Sequence, residues 1–354
     1  MREKTIIKLA VLGLIIGIVL FSSLLVFKTG QVMEEEKLVV GAILPFSGQL
    51  SFIGEEIQKG IELANLETSG TEIRIIYEDD RSWLSTAAVN AANKLINLDK
   101  IDVGLTAAIE EAKPVKPIFE KGKTPLLVVW DSNNFLDESD YLFGTGFSTE
   151  KAGEKMASFA FKNLNLREVA VVSHKDAWAE IISESFKNEF KKQGGKIVLH
   201  ERHRLDDNEF KTTLLKIKES GADGIYLPLL PPTSVNFLLQ TEQLGLDIPL
   251  LGGDALIQEV IDASGKAAEG IYYTNIFSEN SEELRKKYVN KYGEEPLDIT
   301  LVSFGYNGLN TIMKAYEKDN DNLRNGLIKV IGPSKSLDRE EKIYFVKGGI
   351  GAPL

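Results

Sequence analysis

The sequence predicts an α/β protein in which parallel β-strands and covering helices build two similar lobes. Three observations carry that prediction. Leu38 to Leu44 is an unbroken apolar run, the pattern of a strand buried on both faces of a parallel sheet. A segment with Ile57, Ile61 and Ala64 on one face follows at helical spacing. The same alternation of short apolar run and amphipathic stretch recurs along most of the chain, as βαβ units do.

The first strand stops at Pro45-Phe46-Ser47-Gly48. The loop over 45–54 therefore lies outside the carboxyl end of a parallel strand, where open sheets meet their ligands. A strand over 73–77 comes next, then a helix face of Ala88, Ala91, Leu95 and Leu98. A strand over 103–105, a helix over 110–120 and a strand over 126–130 complete the first series. The second series starts after about Thr149, with a strand over 169–172 and a helix face of Ile182, Phe186 and Phe190 stopped by Gly194-Gly195. It continues with a strand over 197–199, a helix carrying Phe210, Leu214 and Ile217, and a strand over 224–227. A helix over 235–244 and a strand over 249–251 end it. After Tyr273 helices dominate, over 282–292, 299–317 and 323–330, before a late strand over 343–346. Helices without new strands imply that the chain returns to cover a sheet already built.

Charge and composition exclude several function classes. The chain has 354 residues, enough for two lobes with real cores, and a net charge of −11. An acidic body without a basic stripe argues against nucleic-acid binding. With no cysteine, there is no disulfide, thiolate metal site, thiol nucleophile or acylatable lipoprotein residue. Residues 9–27 carry no charge and are bracketed by Lys8 and Lys28. As a helix this run would be about 28 Å long, close to the hydrocarbon core of a bilayer. It is longer than the apolar region of a cleavable signal and has no clear small-residue cleavage site before Glu34-Glu35-Glu36. The expectation is an uncleaved signal-anchor. Arg2, Lys4 and Lys8 keep residues 1–8 cytoplasmic and place the rest outside, so the protein is a single-pass cell-membrane protein with an extracytoplasmic body.

An ordered set of short motifs resembles the type I periplasmic binding proteins, in their leucine/isoleucine/valine-binding branch. The set runs from Gly41-Ala42-Ile43-Leu44-Pro45-Phe46-Ser47-Gly48 through Gly54, Gly60-Ile61-Glu62-Leu63-Ala64 and Tyr77-Glu78-Asp79-Asp80. Gly122-Lys123-Thr124-Pro125, Gly221-Ala222-Asp223-Gly224, Gly252-Gly253-Asp254 and Tyr292-Gly293-Glu294-Glu295-Pro296 continue it. The resemblance implies two Rossmann-like lobes with parallel sheets joined by a three-crossing hinge, a solute trapped between them on closure, and an ABC permease as membrane partner. The crossings would fall near 144–149, 273–276 and 332–337. After a linker over 28–37, one lobe would comprise 38–146 with 275–332, and the other 147–274 with 333–354. The family needs no cofactor, metal or nucleophile.

In the family, hydroxyls and backbone N–H groups of two loops hold the ligand's carboxylate, an aromatic ring covers it and an acid binds its ammonium group. Carried onto this chain, the loops are at Thr106, Ala107 and Ala108 and at Asp131, Ser132 and Asn133, the ring is Trp178 and the acid Asp254. Ser47 and Phe52 border the same cleft. Two departures matter. Ala107-Ala108 stand where amino-acid binders usually carry a serine, and Asp131 adds an anion where a carboxylate should sit. Like charges at about 4 Å repel by about 1 kcal/mol even in water. Asp131, Asp254 and Trp178 together suit an amine-bearing solute, because aromatic faces also attract cations.

Each residue also has a plainer role. Asp254 would suit a cap for a helix near Leu256, Trp178 would pack at its helix start, and Asp131 would be a solvated loop residue. Asp79-Asp80 resembles a catalytic carboxylate pair but ends a strand. A strand through His200 points His203 to the opposite face, which disfavours a two-histidine metal site. Ser264-Gly265-Lys266 lacks the glycine spacing of a phosphate loop, and no G-x-S-x-G elbow occurs. The expectation is a non-enzymatic solute-binding subunit of an importer, binding a small amino acid or amine. A ligand-sensing ectodomain with a separate signalling partner is the alternative.

Overall fold

A computed structural model describes residues 37–68, 71–132, 134–276, 281–332 and 343–347. The predicted membrane-spanning run over 9–27 and Asn133 lie outside these residues. Among the described residues no helix is long and apolar enough to cross a membrane.

The first series is β1 Leu38–Leu44, α1 Ser51–Leu66, β2 Ile73–Asp79, α2 Ser85–Lys94, β3 Val103–Thr106, α3 Ile109–Gly122, β4 Leu126–Val128, β5 Asp131–Ser132, β6 Leu142–Gly144 and β7 Phe147–Ser148. Its sheet has the order β2-β1-β3-β4-β6, and the β1–β3, β3–β4 and β4–β6 pairs are parallel. The second series is α4 Thr149–Lys162, β8 Glu168–His174, α5 Ala177–Lys192, β9 Lys196–His203, α6 Lys211–Ser220, β10 Gly224–Leu227, α7 Thr233–Gln243, β11 Leu250–Gly252, α8 Gln258–Ser264 and β12 Tyr272–Ile276. The chain ends in α9 Ser281–Tyr292, α10 Ile299–Lys318, α11 Leu323–Ile331 and β13 Ile343–Lys347. The second sheet has the order β13-β12-β11-β10-β8-β9, parallel except for β13 against β12.

By contact, the described residues fall into a small unit at 37–38 with 71–74 and a large one that carries both lobes. Within the smaller unit Lys37 pairs with Glu72, and the Leu38 N–H donates to the Glu72 carbonyl at 3.0 Å.

Each lobe has its own core. In the first, Ile43, Val115, Phe119, Leu126 and Leu142 pack with Ala88, Ala92 and Leu95 of the α2 region. In the second, Ala170, Val172, Ile225 and Leu227 meet Phe210, Leu214 and Phe237 on one face. On the other face Tyr226 stacks on Phe186 at 4.1 Å between centroids, and Phe186 on Phe190 at 5.5 Å. The returning helices cover the first sheet, as the late helical pattern predicts. Gly308 of α10 lies against Leu105 and Val129, and α10 crosses α1 at a glycine contact. A Cβ on Gly60 would stand 2.0 Å from the Val302 carbonyl oxygen, and one on Gly305 1.9 Å from that of Ile57. Only glycines allow these two backbones so close.

Several elements differ from the pattern-based expectation. The strand expected to reach Trp130 ends at Val128, although the Val129 and Trp130 N–H groups still reach the Thr106 and Ala107 carbonyls at 3.0 and 2.8 Å. Residues expected as a crossing near 273–276 form β12 of the second sheet. β5 and β7 pair in parallel over two residues each, and β6 has three, too few for a period of two to register.

Candidate functional site

Strand order fixes where a ligand can be met. β1 lies between β2 and β3, and β8 between β9 and β10, so in each lobe successive strands run off in opposite directions. The crevice at such a switch point, outside the carboxyl ends, is the ligand position of open α/β sheets. The loops after β1, β3 and β4 open there in the first lobe, and those after β8, β10 and β11 in the second.

Asp254 and Trp130 join the two lobes at these ends. The Trp130 indole N–H donates to Asp254 Oδ2 at 2.9 Å. Trp130 is buried and stacks on Phe304 of α10 at 5.9 Å, so its direction is fixed from behind. Asp254 is buried, and its other oxygen, Oδ1, has no partner. Burial pushes its carboxyl up to about 6, against the opposing effect of the Trp130 indole N–H. The bond it accepts comes from Trp130, and the first turn of α8 has no side-chain cap, so the helix-cap role is not the one seen.

Trp178 is buried one residue into α5, and its indole Nε1 makes no hydrogen bond. Its backbone N–H donates to Glu110 Oε1, in the first turn of α3, at 2.7 Å, a second hydrogen bond between lobes. Thr106 ends β3 fully buried with an unpartnered Oγ1, and the buried Ala107 accepts from the Trp130 N–H. Phe52, half-buried in the first turn of α1, packs against the core of the opposite lobe. The backbone of Asp131 and Ser132 forms β5 against Phe147 and Ser148. Ser47 is exposed, and its hydroxyl donates to Asp79 Oδ2 at 2.6 Å.

The Asp79-Asp80 pair braces this region. Asp79 Oδ1 accepts from the N–H groups of Phe46, Ser47 and Arg81 at 2.9, 3.2 and 2.8 Å. Burial works to raise its pKa, but the Ser47 hydroxyl and these N–H groups carry it below the usual value. Arg81, Ser82 and Trp83 all have positive φ, near +60°, a left-handed run costly for residues with a Cβ. Side-chain bonds hold it: Asp80 Oδ1 accepts from the Trp83 N–H, and Ser82 Oγ donates to the Ser47 carbonyl, each at 2.8 Å. The Trp83 indole donates to Glu111 Oε1 at 3.0 Å, and Glu111 Oε2 accepts from the Ala108 N–H at 2.8 Å. Burial, with the Asp79 charge adding to it, pushes Asp80 up to about 6, and burial with the Asp80 charge pushes Glu111 well above its ordinary range. Glu111 supports the loop at 106–108 through the Ala108 N–H.

The arrangement suits binding. It offers a desolvated carboxylate oxygen, two indoles and unpartnered hydroxyls at Thr106 and Tyr226, the last raised in pKa by burial and by Asp254. Among the described residues no group of three or more histidine, aspartate or glutamate side chains could hold a metal. His200 contacts Ser173 and Lys187, while His203 contacts Thr213 and Asp207, on opposite faces of β9 as the strand period predicts. Sequence reasoning missed Trp130, Glu110 and Tyr226. Trp130 carried a signal, since it directly precedes the expected binding loop at Asp131; Glu110 carried none, because its partner is 68 residues away.

The sequence profile described as periplasmic binding protein matches residues 37–331. Leu/Ile/Val-binding protein homolog 6 of Brucella suis biovar 1 is 27% identical over 295 residues, covering 78% of this chain and 75% of that protein. Among solved structures, the leucine-binding protein LivK of Thermotoga maritima superposes with a TM-score of 0.80 at 24% identity, over 90% of this chain and 97% of that one. LivJ of Streptococcus pneumoniae in complex with isoleucine gives 0.79 at 21%, over 90% and 99%. A solute-binding protein of an ABC transporter from R. palustris, in complex with benzoate, gives 0.78 at 22%, over 90% and 95%. These likenesses establish the two-lobed α/β fold.

Proposed function

This chain belongs to the periplasmic binding protein family, and on that premise we propose that it is the extracytoplasmic solute-binding subunit of an ABC importer, closing its lobes over a small amine-bearing solute. The observation that carries the ligand class is Asp254. A buried carboxylate oxygen without a partner is costly unless something with donors occupies it. An ammonium group supplies both charge and donors, and the two neighbouring indoles attract it further. The fold does not choose the ligand, since one structural relative was solved with isoleucine and another with benzoate.

In this proposal Asp254 holds the ammonium group, Trp178 and Trp130 cover it, and Thr106, Ala107 and Phe52 form the opposite wall. Asp131, Ser132 and Asn133 line the loop after β4, and Ser47 stands at the rim. The lobes divide at about 38–146 with 277–332 and 147–276 with 333–354, with hinge crossings near 144–149 and 332–337 and a third where the chain leaves β12 of the second sheet. Binding shifts an open–closed equilibrium, and the permease recognises the closed form. The uncharged run over 9–27 tethers the body to the membrane. Removing it should move the protein from the membrane to the soluble fraction.

Thermal-shift screening of the full chain in mild detergent tests the ligand class. Monoamines, basic amino acids and polyamines are expected to raise Tm more than benzoates. Stabilisation by neutral aliphatic amino acids alone, or by benzoates alone, would refute the amine preference.

A further inference from the structure

We propose that Glu110 is a positioning residue for lobe closure: it caps helix α5 from the opposite lobe and thereby sets the closed population before any solute binds. The first turn of a helix leaves four N–H groups without helical partners. In α5, Asp176 satisfies one of them, accepting from the Ala179 N–H at 2.7 Å. Glu110 Oε1 satisfies another, that of Trp178, also at 2.7 Å. A carboxylate accepting at this length makes a charge-assisted bond, and its charge also faces the positive end of the helix dipole. Most caps lie within a few residues of their helix. This one comes from α3 of the other lobe, so it exists only while the lobes are together.

The carboxylate is aimed by a fixed base. Its neighbour Glu111 is fully buried and holds the Ala108 N–H and the Trp83 indole, which locks the start of α3. Glu110 therefore presents its side chain from a rigid helix end. The bond it makes is to the backbone of Trp178, the residue whose indole meets the solute in the proposed function. Closure and placement of that ring are thus one event. Another hydrogen bond between the lobes, Trp130 to Asp254, involves the carboxylate that the solute is proposed to engage. Glu110 is a tie at the cleft that does not compete with the solute.

The absence of cysteine makes the test direct. Lys121→Cys and Lys192→Cys place spin labels at exposed positions near the far ends of α3 and α5 in the full chain. Pulsed-EPR distances are then read without solute. The expectation is a substantial short-distance population that falls about five- to tenfold in ratio in Glu110→Ala. Glu110→Gln, which keeps an acceptor but loses the charge, should lie between, with Tm nearly unchanged in both. Identical distance distributions in the wild-type sequence and Glu110→Ala, or a wild-type sequence with no short-distance population, would overturn the proposal.

The affinity arm rests on the solute-binding reading. For any amine that stabilises the protein, Glu110→Ala should weaken binding by the same factor and leave the ranking of solutes unchanged. A changed ranking would make Glu110 a contact residue and overturn its positioning role. If no solute binds, the proposed function fails, while the solute-free distances still decide the role of Glu110.

Discussion

The Trp130 indole donates to Asp254 Oδ2 at 2.9 Å, so a ring from the end of one sheet and a carboxylate from the end of the other share one hydrogen bond. It satisfies one oxygen of a buried acid and leaves the second open. The consequences reach both stability and binding.

Asp254 makes stability depend on pH with a definite sign. Burial raises its pKa in the folded protein to about 6, above the ordinary aspartate value of about 3.9. The folded state therefore binds the proton more tightly than the unfolded one. Its contribution is fully present below the unfolded value and is lost as pH rises through about 6. The loss at pH 8 is up to about 3 kcal/mol. Asp254→Asn, which keeps an acceptor for Trp130, should raise Tm at pH 8 and leave it nearly unchanged at pH 4. Melts across that range check this, and a lower Tm of the variant at pH 8 contradicts it.

Trp130→Phe keeps a ring against Phe304 and removes the indole donor to Asp254 Oδ2. Leaving a buried acceptor unpaired costs about 1–3 kcal/mol. Urea unfolding at pH 7 should show that loss. In an Asp254→Asn background the same change should cost less, because an unpaired neutral amide oxygen is less costly to bury than a carboxylate oxygen.

The α1–α10 crossing tolerates no side chain at its closest point. Gly305→Ala would place a methyl group 1.9 Å from the Ile57 carbonyl oxygen, and Gly60→Ala one 2.0 Å from that of Val302. Backbone cannot move aside as a flexible side chain does, so each change should destabilise the protein by about 2 kcal/mol or more. Denaturation midpoints read this directly; a change below 0.5 kcal/mol, on the order of an ordinary surface substitution, would contradict it.

Asp79→Ala removes the acceptor for three backbone N–H groups and the Ser47 hydroxyl. The left-handed run at 81–83 then loses a main restraint. Hydrogen exchange should quicken selectively at residues 46–47 and 81–84, with protection of the second sheet unchanged. Uniform acceleration over both lobes would instead show a global role.

Much of the fold was legible because buried parallel strands are apolar throughout and their helices carry a regular stripe. The 38–44 run, apart from the half-buried Val39, and the faces at Ile57, Ile61 and Ala64 and at Ile182, Phe186 and Phe190 lie buried. The short strands were not legible, since β5, β6 and β7 have two or three residues and pair through backbone alone. β12 follows a glycine-bounded segment and carries mixed polarity, Tyr-Tyr-Thr-Asn-Ile, so it read as a connection.

The candidate site divides in the same way. The βα pattern places the strand-end loops, but it is the resemblance to the periplasmic binding proteins that singles out Asp254 after Gly252-Gly253, Trp178 and Thr106 within them. Sequence by itself determined two parallel-sheet lobes and the acidic, aromatic character of the loops at their strand ends, while the switch points came with the strand order of the folded sheets. Only the tertiary structure decided that Trp130 meets Asp254 and that Glu110 caps α5. Those pairs are 124 and 68 residues apart, and packing of whole lobes, which no local pattern encodes, brings them within hydrogen-bond distance.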